Sequence, residues 1–429
     1  CQFNSYTKMA DFSETSGEEN GSYFDGCLLN TMEILVKDIE KRSGEKLKEP
    51  YVVYMIETRC FGSSNEENQS SCLWRRYSEF DLLRNYLQAT YPSLIIPPLP
   101  EKKTNLAAFR LNSDNYNMEF VERRRNGLEF FLHRIAKHPQ LGVDEHFKSF
   151  LTQEEGWKES VIATGFQSKA DSKLKSLSAS FSVKKPDKKY EDIKNYSQTL
   201  QGNIASLLKV QQKIAEKQFN IHKEHANYGK IFSEWSSIED EMGHALQKAG
   251  HYMDNLASAI DDIQEEEESH YVDKLKEYYL YADSIRVMTR KQQLRHYNLE
   301  KAEEALSAKN TQKEELVKES EEGGEGKKSG GLWKGLSSKI FGGDTPEARE
   351  AKLQTLETQI EESENAVTEA KEELRTFTET ASKDYDMFQK QRDRDINKIV
   401  IEHIKTQMKL CKLGVSTWEN VKDTFEGMA

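Results

Sequence analysis

Between residues 74 and 127 the chain gathers the residue types that grip a phosphorylated ring. Trp74-Arg75-Arg76-Tyr77-Ser78-Glu79-Phe80 sets two arginines beside an aromatic, and Pro97-Pro98-Leu99-Pro100-Glu101-Lys102 is a stiff extended run ending in a lysine. Phe120-Val121-Glu122-Arg123-Arg124-Arg125-Asn126-Gly127-Leu128 adds a second arginine cluster. A ligand with clustered phosphates on a flat ring asks for guanidinium forks, an ammonium point charge and an aromatic wall. All three kinds are here. Arg75 and Arg76 alternate across a strand, so only one of them faces such a ligand. The competing reading is ordinary surface chemistry, in which Arg76 and Arg124 pair with Glu79 or Glu122 and Tyr77 is core. Arg75, Lys103, Arg123 and Arg125 are assigned to a solvated background that adds general attraction to anionic lipid, about 1 kcal/mol each when near the surface.

Catalytic signatures do not compete with this reading. The sequence holds no Gly-rich phosphate loop, no G-x-S-x-G, no H-E-x-x-H and no Cys or His cluster at metal spacing. No cofactor, metal or enzymatic role is expected, and His222 and His225 are expected to face a seam or solvent. The 73 acidic against 61 basic residues give a net charge of −12, which argues against coating nucleic acid. No run of 18 apolar residues can cross a bilayer, and the N-terminus lacks the zones of a secretory signal, so any membrane work is expected to be peripheral. The 5 cysteines form no C-x-x-C pair. That fits a reducing compartment, and the cytoplasm is expected. Met9 is the first methionine, and residues 1–8 are given no structural weight.

The elements that must position these residues follow from pattern. Residues 1–28, rich in Ser, Glu, Gly and Asn, read as a disordered acidic tail. Met32–Val36, Tyr51–Ile56 and Cys72–Tyr77 are short, β-branched or aromatic and separated by turn residues, which predicts three antiparallel strands joined by hairpins. Ser78 then caps a helix to about Tyr91 with Phe80, Leu83 and Leu87 on one face, and a second helix near 118–137 carries Phe120, Leu128, Phe131, Leu132 and Ile135. A small α+β domain over 29–153, its last element ending near Leu151, is the result.

All 8 prolines lie at or before Pro186 except Pro346, so 187–345 and 347–429 are free for long helices. Heptad steps run from Leu200 through Ile204, Leu207, Ile214, Ile221, Tyr228, Trp235, Met242, Met253, Leu256 and Ile260 to Ile263. Gly243 and Gly250 are candidate kinks. The acidic run Asp261–Glu268 reads as a hairpin tip, 270–319 as a second helix, the glycine-rich stretch 321–344 as a loop, and Pro346 as the first turn of a third helix capped by Thr345. Residues 190–427 therefore predict an all-α elongated bundle of three long helices that dimerises along its seam. Between the halves, 154–189 is basic: residues 156–190 hold eight Lys or Arg against three Asp or Glu. There Phe166, Ala170, Leu174, Leu177 and Phe181 form one apolar stripe with Lys169, Lys173 and Lys175 off it, the pattern of a helix lying on anionic lipid; the alternative is packing on the bundle. Leu332–Phe341 is a second short amphipathic island.

Taken together in this order and spacing, the 74–127 motifs resemble the phox-homology (PX) domain of the sorting nexins, and about 187–427 looks like the BAR domain of one sorting-nexin subgroup. The resemblance implies an α+β PX domain followed by a BAR bundle. It implies that Arg76 meets the 3-phosphate of phosphatidylinositol 3-phosphate, Tyr77 stacks under the inositol, Lys102 meets the 1-phosphate and Arg124 forks onto ring hydroxyls. It further implies a non-catalytic protein of early and recycling endosomes that sorts cargo, contributes to autophagy, senses or imposes curvature, and pairs with itself or another PX-BAR nexin. On that reading Lys209, Lys213, Lys217, Lys223 and Lys230 are candidates for a basic membrane face. The alternative is a coiled-coil scaffold whose basic pocket binds an acidic or phosphorylated protein motif without lipid.

Overall fold

The computed structural model describes residues 27–43, 50–61, 70–102, 118–168, 181–322 and 346–428. The chain divides into two compact units, Cys1–Leu87 with Leu99–Gly165 and Gln88–Pro98 with Phe166–Ala429.

The first unit is built on three strands, β1 (Met32–Arg42), β2 (Tyr51–Cys60) and β3 (Ser70–Arg76), in the antiparallel order β1-β2-β3. Helices α1 (Tyr77–Thr90), α2 (Met118–Lys137), α3 (Glu145–Thr152) and α4 (Trp157–Ala163) accompany the sheet. β1 slips register between Val36 and Asp38, a bulge that bends the strand. Asp144 caps α3 by accepting the Phe147 N–H at 2.9 Å, satisfying a donor that the first turn leaves unpaired. The core is aromatic: Phe80 meets Phe150 edge-on at 5.0 Å and Phe131 at 6.5 Å, and Phe150 meets Trp157 at 4.8 Å. Such rings contribute about 0.5–1.5 kcal/mol per pair beyond the area they bury. The unit therefore continues past Leu151 into the stretch read from sequence as linker, because Trp157 and Val161 are fully buried and Trp157 donates to His146 O at 2.8 Å.

The second unit holds α5 (Lys188–Ser236), α6 (Gly243–Glu267), α7 (Asp273–Glu322) and α8 (Pro346–Glu426). Asp187 caps α5 through the Lys189 N–H at 2.8 Å. The expected hairpin at 261–268 is not there. α6 runs through the acidic residues and passes into α7 by a π turn, Glu268–Val272. The last three acids are held within helical structure by partners: Glu266 pairs with Lys409 at 2.7 Å, Glu268 with Lys276 at 3.3 Å, and buried Glu267 accepts from Gln211 and Gln407, each at 3.2 Å, and meets His403. The actual turn is 237–242, and here glycine is required, since a Cβ on Gly243 would lie 2.7 Å from Ser236 O. α5 and α6 then run back close together, Gly250 standing 3.0 Å from Gly229 O by the same measure. Ala249, Met253 and Val421 form a buried cluster with Phe232, Tyr252 and Phe425 packed on it. Segment Gln88–Pro98 is part of this unit, with Ile95 N donating to Asp384 Oδ2 at 2.6 Å and Lys291 Nζ to Gln88 O at 2.8 Å. The heptad positions split. Ile204, Met253, Leu256, Ile260 and Ile263 are buried, whereas Leu207, Ile214, Ile221, Tyr228 and Trp235 are exposed. No helix of the described residues is long and apolar enough to cross a membrane.

Candidate functional site

The junction of β3 with α1 sets the site. Strand alternation separates the two arginines: Arg76 pairs across to Val53 and Arg75 to Tyr54, so their side chains leave opposite faces. Arg75 is 2% exposed and is not part of a solvated background. It donates to Phe150 O at 3.0 and 3.2 Å, to Glu154 O at 3.3 Å and to Gln153 O, pairs with Glu79 at 3.2 Å, and lies over the rings of Phe150 and Trp157. A guanidinium is the one side chain with enough donors to close so many carbonyls at once. Arg75 is a structural bolt, and the sequence assignment of it to surface charge is corrected. Arg125 is likewise tied down, to Glu122 at 2.8 Å and Val36 O at 2.6 Å.

Arg76, Tyr77, Lys102 and Arg124 have different surroundings. The Arg76 guanidinium lies 3.5 Å over the ring of Tyr51 and makes no ion pair among the described residues, while its backbone N–H is held by Glu79 at 2.8 Å. Glu79 and Glu122 are thus taken by Arg75 and Arg125, not by Arg76 and Arg124. Tyr77 donates to Pro100 O at 2.6 Å and lies 5.0 Å under the Arg124 guanidinium. Burial pushes its phenol up to about 12 against the opposing pull of Arg124, so it stands as a neutral wall at ordinary pH. Arg124, 8% exposed, donates to Glu101 O at 3.3 Å, Lys102 O at 2.5 Å and Tyr54 Oη at 3.5 Å, with Phe120 below it at 4.3 Å. Lys102 keeps an exposed ammonium, with Asp81 4.0 Å away.

Tyr77, the 100–102 backbone and Arg124 are therefore in direct contact, and Arg76 adjoins them through the chain. Gly127 permits this: a Cβ there would sit 2.7 Å from Pro100 Cβ, so only glycine lets the proline run approach α2. Sequence reasoning missed Tyr51, Tyr54 and Phe120 as the supports of these arginines. The strand register carries the signal for the first, since Tyr51 is the diagonal neighbour of the Val53–Arg76 pair on the same face.

Of the stripe expected on lipid, Phe166 is 4% exposed, a core position rather than a free one, because its ring is already out of water. Phe181 is covered by Arg290 at 3.7 Å and Tyr297 at 5.3 Å. Leu174 and Leu177 lie outside the described residues, as do the tail 1–26, Lys103, Thr345 and the Leu332–Phe341 island. His222 contacts Ala257 O at 2.8 Å, and the described residues include no metal-type cluster.

This arrangement, an α+β unit with a cationic aromatic site followed by long helices, defines a PX-BAR protein. Residues 63–154 match the PX domain family. The chain belongs to the sorting nexins. It is 46% identical over 427 residues to Sorting nexin-4 of Mus musculus, covering 96% of this chain and 93% of that protein, and 45% identical to Sorting nexin-4 of Homo sapiens over 97% and 92%. Sorting nexin-30 of Mus musculus is 30% identical over 57% of this chain and 54% of its own length. The cryo-EM structure of the SNX-BAR Mvp1 tetramer has the same fold, with a TM-score of 0.57 at 18% identity over 90% of this chain and 99% of that one.

Proposed function

We propose that this sorting nexin is a non-catalytic reader of phosphatidylinositol 3-phosphate that works peripherally on the cytoplasmic face of early and recycling endosomes, sorting and recycling cargo and contributing to autophagy. The observation that carries the reading is Arg124 fixed by carbonyls over the neutral Tyr77, with Arg76, which makes no ion pair among the described residues, next to Tyr77 in the chain and Lys102, whose ammonium is exposed, supplying one of the carbonyls that hold Arg124. Fixed guanidinium geometry favours paired contacts to phosphate or vicinal hydroxyls, and Arg124 retains N–H donors beyond the three in use. In this reading Arg76 meets the 3-phosphate, Tyr77 the ring face, Lys102 the 1-phosphate and Arg124 the ring hydroxyls.

The helical half is assigned to dimerisation and curvature. Leu207, Val210, Ile214, Ile221, Tyr228, Ile231 and Trp235 on α5 are exposed at heptad-like spacing, Ile238 continues them into the turn, and Ile404, Met408, Val415 and Trp418 on α8 are exposed as well. An apolar stripe of that length suits a partner helix bundle, from a second copy or another PX-BAR nexin. Lys209, Lys213 and Lys217, spaced by four on α5 and exposed, suit anionic lipid. The working division is an acidic tail that ends before the buried Cys27, a PX unit that runs on through Trp157 and Val161, a linker after it carrying Leu174 and Leu177 as inserting residues, and a BAR domain from α5 onward.

The test is vesicle co-sedimentation of the full chain with and without phosphatidylinositol 3-phosphate, parent against Arg76→Ala. Lipid-dependent pelleting of the parent alone supports the site. Equal behaviour of the two refutes it and favours a scaffold that binds an acidic protein motif.

A further inference from the structure

Residues 181–187 cross the surface of α7 without a core of their own. None of them is buried, and the next residue out of water is Tyr190, inside α5. Three ties nevertheless hold the segment. The Phe181 ring sits between Arg290 at 3.7 Å and Tyr297 at 5.3 Å. The Glu300 carboxylate accepts both the Lys184 N–H at 2.9 Å and the Lys185 N–H at 3.1 Å. Lys184 Nζ reaches Glu304 at 2.5 Å, and Glu304 also takes Lys301 at 2.7 Å. Pro186 and the Asp187 cap then anchor the chain into α5, so the strap has a fixed end and a lightly held one.

The groups held here are those an anionic bilayer takes up. An aromatic ring settles at the headgroup boundary and lysines meet lipid phosphates, and on α7 two carboxylates, the Arg290 guanidinium and the Tyr297 ring stand in their place. The Lys184–Glu304 pair is exposed, with side chains 71% and 38% accessible, so solvent and salt weaken it. Exposed, screened contacts contribute little each, so a lipid surface that binds the released segment modestly better is enough to move the population. We propose that Phe181–Asp187 is a releasable membrane strap: Glu300 and Glu304 keep Phe181, Lys184 and Lys185 seated on α7 until an anionic bilayer displaces them. The proposal rests on the lipid-binding reading above, and it makes that reading conditional by giving the protein an intramolecular competitor for its own membrane contact.

The test uses the full chain and vesicles of phosphatidylcholine with increasing phosphatidylserine, without phosphoinositide. Amide hydrogen exchange at Lys184 and Lys185 reads the seat directly, since those N–H groups are the Glu300 donors. Expected is slow exchange in solution, faster exchange on phosphatidylserine vesicles, and, in Glu300→Gln with Glu304→Gln, fast exchange in solution and vesicle binding at about half the phosphatidylserine fraction. The control Glu361→Gln with Glu364→Gln changes net charge equally on exposed α8 positions and should leave the binding midpoint in place. Phe181→Ser should weaken vesicle binding with the melt unchanged. Equal midpoints for the parent and the Glu300/Glu304 variant, an equal shift in the control, unchanged exchange on vesicles, or no binding to phosphatidylserine vesicles each overturns the proposal. The headgroup reading is scored separately by the Arg76→Ala comparison on phosphatidylinositol 3-phosphate, so either can fail alone.

Discussion

Replacing Gly127 by alanine adds one carbon where the structure leaves no room. The new Cβ stands 2.7 Å from Pro100 Cβ and 3.0 Å from Pro100 Cγ, whereas carbons prefer about 3.5–4.0 Å, so the proline must retreat by roughly 1 Å. Pro100 is not free to do so. Its carbonyl takes the Tyr77 hydroxyl at 2.6 Å, and the next two carbonyls hold Arg124 at 3.3 and 2.5 Å. A retreat of about 1 Å carries the Tyr77 contact to a length that no longer counts as a hydrogen bond. Overpacking costs about 1–3 kcal/mol and the lost bond about 0.5–1.5, offset by about 1 from the better helix propensity of alanine. The net is about 0.5–3.5 kcal/mol, a melting shift of about 2–4 °C per kcal/mol for a unit of this size. Phosphatidylinositol 3-phosphate binding should fall about tenfold or more, because loss of about 1.4 kcal/mol at the displaced Arg124 suffices. Calorimetry and vesicle co-sedimentation measure the two effects. Gly202→Ala is the control: its Cβ meets nothing within 4 Å, so it should stabilise by up to about 1 kcal/mol and leave binding alone. A Gly127→Ala protein that melts and binds like the parent refutes the argument that this glycine spaces the site.

Arg75→Ala should lower stability by about 3–5 kcal/mol, since it leaves buried carbonyls and Glu79 without their donor; urea unfolding should show a lower midpoint, and a near-neutral result would sink the structural role. Gly250→Ala should destabilise the helical unit by about 1–2 kcal/mol net of its propensity gain, because its Cβ would approach Gly229 O at 3.0 Å and Ser233 Oγ at 2.9 Å; melting followed by circular dichroism decides it. The raised Tyr77 pKa means the fold favours the neutral phenol, so its contribution is complete below the ordinary value of 10 and is lost as pH rises toward about 12. In a spectroscopic tyrosinate titration Tyr77→Phe should remove one late-titrating phenol, leaving Tyr385, also held up to about 12, as another. Ile221→Glu combined with Ile404→Glu should yield monomer by light scattering while helicity is retained; an unchanged mass would remove this face from the dimer seam.

Much of this architecture was readable because its signals are local. The three strands follow from β-branched runs broken by turn residues, and the long helices follow from stretches without proline. The misplaced hairpin shows where locality fails. An acidic run looks like a solvated tip, but Glu266, Glu267 and Glu268 are answered by Lys409, His403 and Lys276, of which two lie on a helix far along the chain. The true turn did carry a local signal, Ser236-Ser237 followed by Gly243, with both hydroxyls closing carbonyls of the ending helix at 2.7 Å. The site divides in the same way. Strand alternation requires Arg75 and Arg76 to part, yet which of them is buried depends on Phe150, Gln153 and Trp157, about 75 positions later, and no window of sequence holds that information. Gly127 was visible as a letter in the motif, but its purpose appears only when Pro100 is laid against it.

An acidic helical half looks ill suited to anionic lipid until its charges are traced. Many of the acids are already matched, between helices by Lys371–Glu303 at 3.2 Å, Lys313–Glu357 at 2.8 Å and Lys409–Glu266 at 2.7 Å, and within α8 by Arg375 lying between Glu372 and Glu379. These pairs fix helix register more than they stabilise, since exposed ion pairs contribute about 0–1 kcal/mol each. Lys209, Lys213 and Lys217 instead stand on one face of α5 with no ion pair among the described residues. Screening confines a surface charge to about 8–10 Å at physiological salt, so a membrane responds to the row of charges it touches and not to the sum over 429 residues. In the proposed strap Glu300 and Glu304 follow the same logic at closer range, as acids set within reach of Lys184, where local charge rather than net charge would decide whether the lysine faces protein or lipid.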